Sequence, residues 1–314
     1  MSGNFQNLQY GAPSYGNAPP VRFDDGTKVP FTYRRRVNLT VLMLCLFIPV
    51  VLFALVCASL SFTVHHDMPP VTWLTVALGA IATFAVGFLA FMAVKRRYSD
   101  GDVARESYWY IFLFVTMLLA YIFAFCLGFV NYWNNMLPYL DMQSLSVHPA
   151  VDLNTMTSQQ LMDVGRVTFT EGTKLDSKRS IGFKNVDRYC VAPIVPPGGK
   201  KLETYDFWAI GLNCCSGNTA DFHCGEFDNP NARSGLRLMR ADQRGFYRLA
   251  VQQAEATYGI QAKHPLFFYW MQNAVSELES YRGDAIRYFL LGLASTFSCQ
   301  LLFLMGAVLV YQKL

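Results

Sequence analysis

Four stretches of this sequence run for more than about 20 residues with almost no charged side chain, enough for a helix to cross the roughly 30 Å of hydrocarbon in a bilayer. They cover residues 37–64, 71–94, 108–132 and 286–310, the last with Arg287 at its edge. Hydrophobic residues make up 53% of the chain and charged ones 15%, against roughly 45–50% and 25% in soluble domains. The link His65-His66-Asp67-Met68-Pro69-Pro70 breaks the first two stretches, Lys95-Arg96-Arg97 stops the second, and Tyr108-Trp109-Tyr110 opens the third with an interfacial aromatic cluster.

Short-loop charge predicts the orientation. Arg34-Arg35-Arg36 precedes the first span, Lys95, Arg96, Arg97 and Arg105 occupy the loop at 95–107, and Lys313 follows the fourth span, whereas the link between spans one and two has no Lys or Arg. The positive-inside rule therefore puts both termini in the cytosol and residues 133–285 outside it, in a plasma membrane or an endomembrane. Residues 1–36 should form a disordered cytosolic tail, rich in Gly, Pro, Asn, Tyr and Ser, and 311–314 a cytosolic end. Tyr10 and Tyr15 are adaptor or phosphorylation candidates there, though a featureless tail is the plainer expectation. With Ser2 rather than glycine after Met1, N-myristoylation is not expected. The polar tail precedes the first apolar run, so the first span is expected to act as its own insertion signal. The net charge of +4 is scattered, which argues against nucleic acid as a partner.

Small residues recur every fourth position at Gly79, Thr83 and Gly87, at Ala120, Ala124 and Gly128, and at Ala54 and Ala58. Each set lines one helix face and lets backbones approach closely. Such faces grip either a membrane partner or the other spans of the same bundle, and the second is the simpler expectation. No ionisable residue lies clearly inside a span, which argues against transport by this chain alone. Gln300 is a candidate interhelical hydrogen bonder.

Beyond span three the pattern is mixed. A short helix is predicted over 156–164, a strand over 166–170, one or two strands over 181–195 ended by Pro196-Pro197-Gly198-Gly199, and another over 203–213. Residues 231–258 carry Leu236, Met239, Phe246, Leu249, Ala250 and Ala254 at helical spacing, with Gly259 as a stop. The run at 266–270 is too short to span; it packs into the domain or lies at the membrane interface. Residues 274–285 lead into span four. The fold class is membrane α-helical: four transmembrane helices with a disulfide-containing α+β extracytosolic domain between spans three and four.

The opposite side of the 231–258 helix carries Arg233, Arg237, Arg240, Arg244 and Arg248, spaced three or four apart. A stripe of guanidinium groups suits an acidic partner, an anionic glycan or lipid headgroups. The plainer expectation is a solvated face neutralised by Glu226, Asp228, Asp242 and Glu255. Cys190, Cys214, Cys215 and Cys224 form an even set outside the cytosol and read as two disulfides, in which Cys214 and Cys215 each take one of the other two, since adjacent cysteines close a strained ring. A metal site using these thiols with His223 is the rival reading. No nucleophile elbow, phosphate loop or paired His–Glu metal motif appears in the sequence, so neither an enzyme nor a cofactor is expected.

Four spans, a small first loop, a large loop between spans three and four, and Cys214-Cys215-Ser216-Gly217 within it resemble the tetraspanin plan. The likeness is architectural. Tetraspanins share a helical outer fold, whereas this outer segment reads as mixed. Tyr205-Asp206-Phe207-Trp208-Ala209, Asn213-Cys214-Cys215-Ser216-Gly217, Cys224-Gly225-Glu226-Phe227, Gly235-Leu236-Arg237-Leu238-Met239 and His264-Pro265-Leu266-Phe267-Phe268 also resemble a family of four-span membrane proteins of dinoflagellate type. That resemblance is compatible with a disulfide-bearing module and implies no catalysis.

These features lead to the expectation of a membrane scaffold whose outer domain docks other membrane proteins or an acidic extracytosolic ligand. The alternative is an auxiliary subunit of a channel or transporter, held through the small-residue faces. A membrane enzyme or trafficking receptor would need a pocket of convergent polar groups.

Overall fold

A computed structural model describes residues 38–100, 107–199, 202–217 and 219–313. The expected tail, Arg34-Arg35-Arg36 and Arg105 lie outside the described residues. Helix α1 (Leu39–Ser61) starts at Asn38, whose side-chain oxygen accepts from the Thr40 N–H at 3.1 Å. The short α2 (Thr63–Asp67) follows, and α3 (Pro69–Asp100) opens on the proline pair expected to break the chain. Proline suits a helix start because its missing N–H would be unpaired there anyway.

Helix α4 (Ser107–Asn131) continues through a π-helical turn (Tyr132–Met136) into α5 (Leu137–Gln143). Helix α7 (Ala274–Lys313) has 40 residues, about 60 Å at 1.5 Å per residue. Both therefore continue past the apolar stretches at 108–132 and 286–310 into the segment between them. Among the described residues four helices are long and apolar enough to cross a membrane, the signature of an integral membrane protein.

Helices α1 and α4 form the centre of the bundle and contact both α3 and α7. Phe53, Val56, Cys57 and Leu60 of α1 meet Val76 of α3 and Met117, Ala120 and Ala124 of α4. Gly79 lies against Val56 and Tyr121, Gly87 against the Phe114 ring, and Gly128 against Leu60 and the Cys57 carbonyl. Thr83 is buried and its hydroxyl donates to the Gly79 carbonyl at 2.8 Å, while Ala54 and Ala58 are half-buried. Gln300 donates to the Cys45 carbonyl at 2.6 Å and Asn131 to the Ala285 carbonyl at 2.9 Å, tying α7 to α1 and to α4.

Between the third and fourth candidate spans lies a mixed sheet of eight strands: β1 (Ser146–Val151), β2 (Val164–Phe169), β3 (Lys174–Leu175), β4 (Ile181–Asn185), β5 (Asp187–Val195), β6 (Phe207–Leu212), β7 (Ser234–Arg237) and β8 (Leu266–Met271). The order is β1-β2-β7-β8-β6-β5-β3, with β4 also paired to β5. Successive side chains go to opposite faces. Cys190, Ala192, Phe207, Ala209, Phe268 and Trp270 belong to one core, and Tyr189, Val191, Trp208, Ile210 and Phe267 to the other. Helix α6 (Ala241–Tyr258) covers the second face with Tyr247, Ala250, Val251 and Ala254. A third cluster joins Leu236 and Ala274 to Tyr139, Met142 and Leu278, so the sheet stands on the extensions of α4 and α7.

Two expectations need correction, and a third is narrowed to one of its two readings. The helix predicted over 156–164 is only a 3-10 turn (Ser158–Leu161) with a Thr157–Gln160 capping box, after which Val164 enters β2, where it is buried. The helix predicted from residue 231 begins at Ala241, because β7 occupies a central slot between β2 and β8. Gly235 permits that slot, since a Cβ there would meet the Phe268 Cβ at 2.8 Å. The run at 266–270 is β8, parallel to β6 and antiparallel to β7; of the two readings offered, it packs into the domain.

Candidate anion-binding cleft

No helix or strand lies between β6 and β7 among the described residues, and this connection covers the sheet face opposite α6. Two disulfides fasten it: Cys190–Cys215 joins β5 to the connection, and Cys214–Cys224 closes a turn within it. Their spacing requires glycine underneath, because a Cβ on Gly182 would lie 2.6 Å from the Cys215 sulfur and one on Gly211 would lie 2.5 Å from both the Cys214 and Cys224 sulfurs. The sulfurs of Cys190, Cys214 and Cys224 lie within 4.8 Å of one another, but all are bonded in disulfides and offer no thiolate to a metal. His223 has its Nδ1 at 2.8 Å from the Asp221 carbonyl, a contact within its own loop.

Replacing the first part of the predicted helix with β7 divides the arginine stripe. Arg233 pairs with Glu171 at 3.2 Å, and Arg240, next to the α6 N-terminus, pairs with Asp242 at 2.9 Å. Arg237, Arg244 and Arg248 instead line one cleft of about 190 Å³, with Lys263, His264 and Met162. Arg237 ends β7. Arg244 and Arg248 lie one turn apart on α6 and so share a face.

The segment before β8 supplies the remaining wall. It is held by Tyr205 N–H to the Gln261 carbonyl at 2.7 Å, His264 N–H to the Asp206 carboxylate at 2.9 Å and Leu266 N–H to the Asp206 carbonyl at 2.7 Å. Glu255, one of the carboxylates expected to neutralise the stripe, accepts from the Ala262 N–H at 2.6 Å. It positions the cleft wall rather than pairing with an arginine.

Arg237 is half-buried, and its Nη1 donates to the Val164 carbonyl at 3.0 Å and also to the Met162 carbonyl. Burial lowers the pKa of this guanidinium, and the neighbouring charge of Arg244 lowers it further, against a weaker opposing effect of Asp163. The group stays charged, since arginine does not deprotonate in proteins. Among the described residues Arg244, Arg248 and Lys263 have no ion pair and no hydrogen bond from their side chains. Like charges gathered with only the weaker Asp163 effect opposing them at Arg237 repel, and a bound anion relieves that repulsion.

No protein-family model, no curated protein and no solved structure matches this chain. The plan resembling tetraspanins comes down to four long apolar helices and a disulfide-bonded α+β region. Sequence spacing singled out three arginines of the cleft. It missed Lys263 and Met162, and it read His264 only as part of a resemblance string; these residues join the arginines through the β7–β8 pairing and the path of β2.

Proposed function

We propose that this chain is a multi-pass membrane scaffold, with both termini in the cytosol, that displays an extracytosolic domain and captures an acidic ligand in the Arg237–Arg244–Arg248–Lys263 cleft. The reading rests on one observation: Arg244, Arg248 and Lys263 line the same cleft as Arg237 and have no acidic partner among the described residues. It is a reading of binding rather than catalysis. The alternative, an auxiliary subunit of a channel or transporter, relied on small-residue faces. Gly79, Gly87 and Gly128 pack instead against Val56, Phe114 and Leu60 of the same bundle.

The test uses the full chain in nanodiscs and a fluorescent heparin fragment as the acidic probe. Binding should be saturable and weaken with salt, as charge-driven association does. The exposed-helix variant Arg244→Gln/Arg248→Gln should lose about tenfold or more in affinity, equivalent to about 1.4 kcal/mol. Arg233→Gln/Arg240→Gln, which removes cations already paired, should change little. Equal loss in both variants would replace a defined cleft with diffuse surface charge.

A further inference from the structure

We infer that the group seated in this cleft is a phosphate ester rather than a carboxylate; the inference rests on the acidic-ligand reading above and gives it a chemistry. Charge is the first argument. Arg237, Arg244, Arg248 and Lys263 bring four formal positive charges to one cleft, opposed at Arg237 by the weaker effect of the Asp163 carboxylate. A carboxylate balances one of them, whereas a phosphate monoester carries about −1.5 to −2 at neutral pH and three strong acceptor oxygens.

Direction is the second argument. The donors come from three elements: the end of β7, one face of α6 and the segment before β8. Three converging walls suit a tetrahedral acceptor better than a planar carboxylate with two oxygens. Arg237 is the floor. Its Nη1 is held by the Val164 and Met162 carbonyls, and of the five N–H donors on a guanidinium those on Nε and Nη2 remain for a ligand. Both backbone bonds fix the orientation of the fork before anything binds, which reduces the ordering needed on association.

Size and lining supply the third. A volume of about 190 Å³ is below the roughly 300–1,000 Å³ of clefts that enclose a whole small molecule. It suits one charged group with the rest of the ligand outside. Met162, 55% exposed, and Pro265 add apolar surface beside the cations, a contact for the carbon skeleton of an ester that free phosphate would leave unused.

The experiment displaces the heparin fragment from the nanodisc-held full chain with glycerol 3-phosphate, inorganic phosphate or citrate at matched ionic strength. Glycerol 3-phosphate should displace it at a concentration about tenfold or more below that of citrate, with inorganic phosphate between them. Arg237→Lys keeps the charge but removes the fork and should abolish the preference. Arg244→Gln, on an exposed helix face where folding is retained, should weaken both displacements. Vesicles of phosphatidylcholine with phosphatidic acid, added as a further competitor, separate the sources: displacement by vesicles as well as by glycerol 3-phosphate assigns a lipid headgroup, and displacement by glycerol 3-phosphate alone assigns a soluble ester. Citrate matching glycerol 3-phosphate in wild type overturns the phosphate inference while leaving the acidic-ligand reading intact. Failure of the heparin fragment to bind removes both.

Discussion

Tyr247 lies at the centre of the contact between α6 and the sheet, fully buried, and its hydroxyl has no hydrogen-bond partner among the described residues. Burial pushes its phenol pKa well above the ordinary value, and the neighbouring Tyr269 and Tyr189 push it further. Gln243, one turn earlier on the same buried face, likewise has no partner for its side-chain oxygen among the described residues. An unsatisfied buried polar group costs about 1–3 kcal/mol. Tyr247→Phe should therefore leave the domain as stable or raise its stability by about 1 kcal/mol, read from thermal unfolding in nanodiscs. A clear loss would mean that the hydroxyl has a partner in solution. The ring itself does the packing, with Tyr189 at 5.2 Å edge-on and Phe267 at 5.9 Å.

At the scale of elements, α6 and the β6–β7 connection cover opposite faces of one sheet by different means. The helix satisfies its own backbone and contributes an apolar face. The connection, without helix or strand among the described residues, depends on Cys190–Cys215 and Cys214–Cys224, with sequence separations of 25 and 10. If cross-links act by restricting the unfolded chain, each should contribute about 2–4 kcal/mol and the longer loop about 0.8 kcal/mol more. Urea unfolding of Cys190→Ser/Cys215→Ser should thus show a lower midpoint than that of Cys214→Ser/Cys224→Ser. The reverse order would show that the shorter bridge acts chiefly through the folded state, by holding the connection over Gly211.

The whole molecule places its sheet on helices that also enter the bundle. The π-helical turn and α5 extend α4, and α7 runs unbroken from Ala274 to Lys313. The Asn131–Ala285 hydrogen bond joins these two helices between bundle and domain, and Tyr139, Met142 and Leu278 meet Leu236 where they reach the sheet. A cleft on such a base is held in a defined orientation to the helical bundle. Maleimide added to sealed membranes tests the proposed orientation. Cys190, Cys214, Cys215 and Cys224 should react from the outer face only after reductant is added, because all four are disulfide-bonded. Labelling from the cytosolic face would invert the topology and move the proposed ligand to the other compartment.

Some of this was legible in the amino-acid order because the physics was local. A charge-free run of more than about 20 residues has one stable form in hydrocarbon, a helix, so all four long helices follow from composition and length alone. The strain of a ring between adjacent cysteines limited how Cys214 and Cys215 could pair, leaving the choice between Cys190 and Cys224 to the fold. Other features were settled only by pairing between distant segments. Leu236 and Met239 fit a helical period, but Leu236 lies in β7, which exists because β2 and β8 supply hydrogen-bond partners on both sides. The apolar run at 266–270 has no period of its own, and neighbours β6 and β7 make it a central strand. The cleft depends on the same long-range decisions. Its arginines, Lys263 and His264 come from separate elements, and charge spacing along a chain records nothing of the contacts that sheet register and helix docking create.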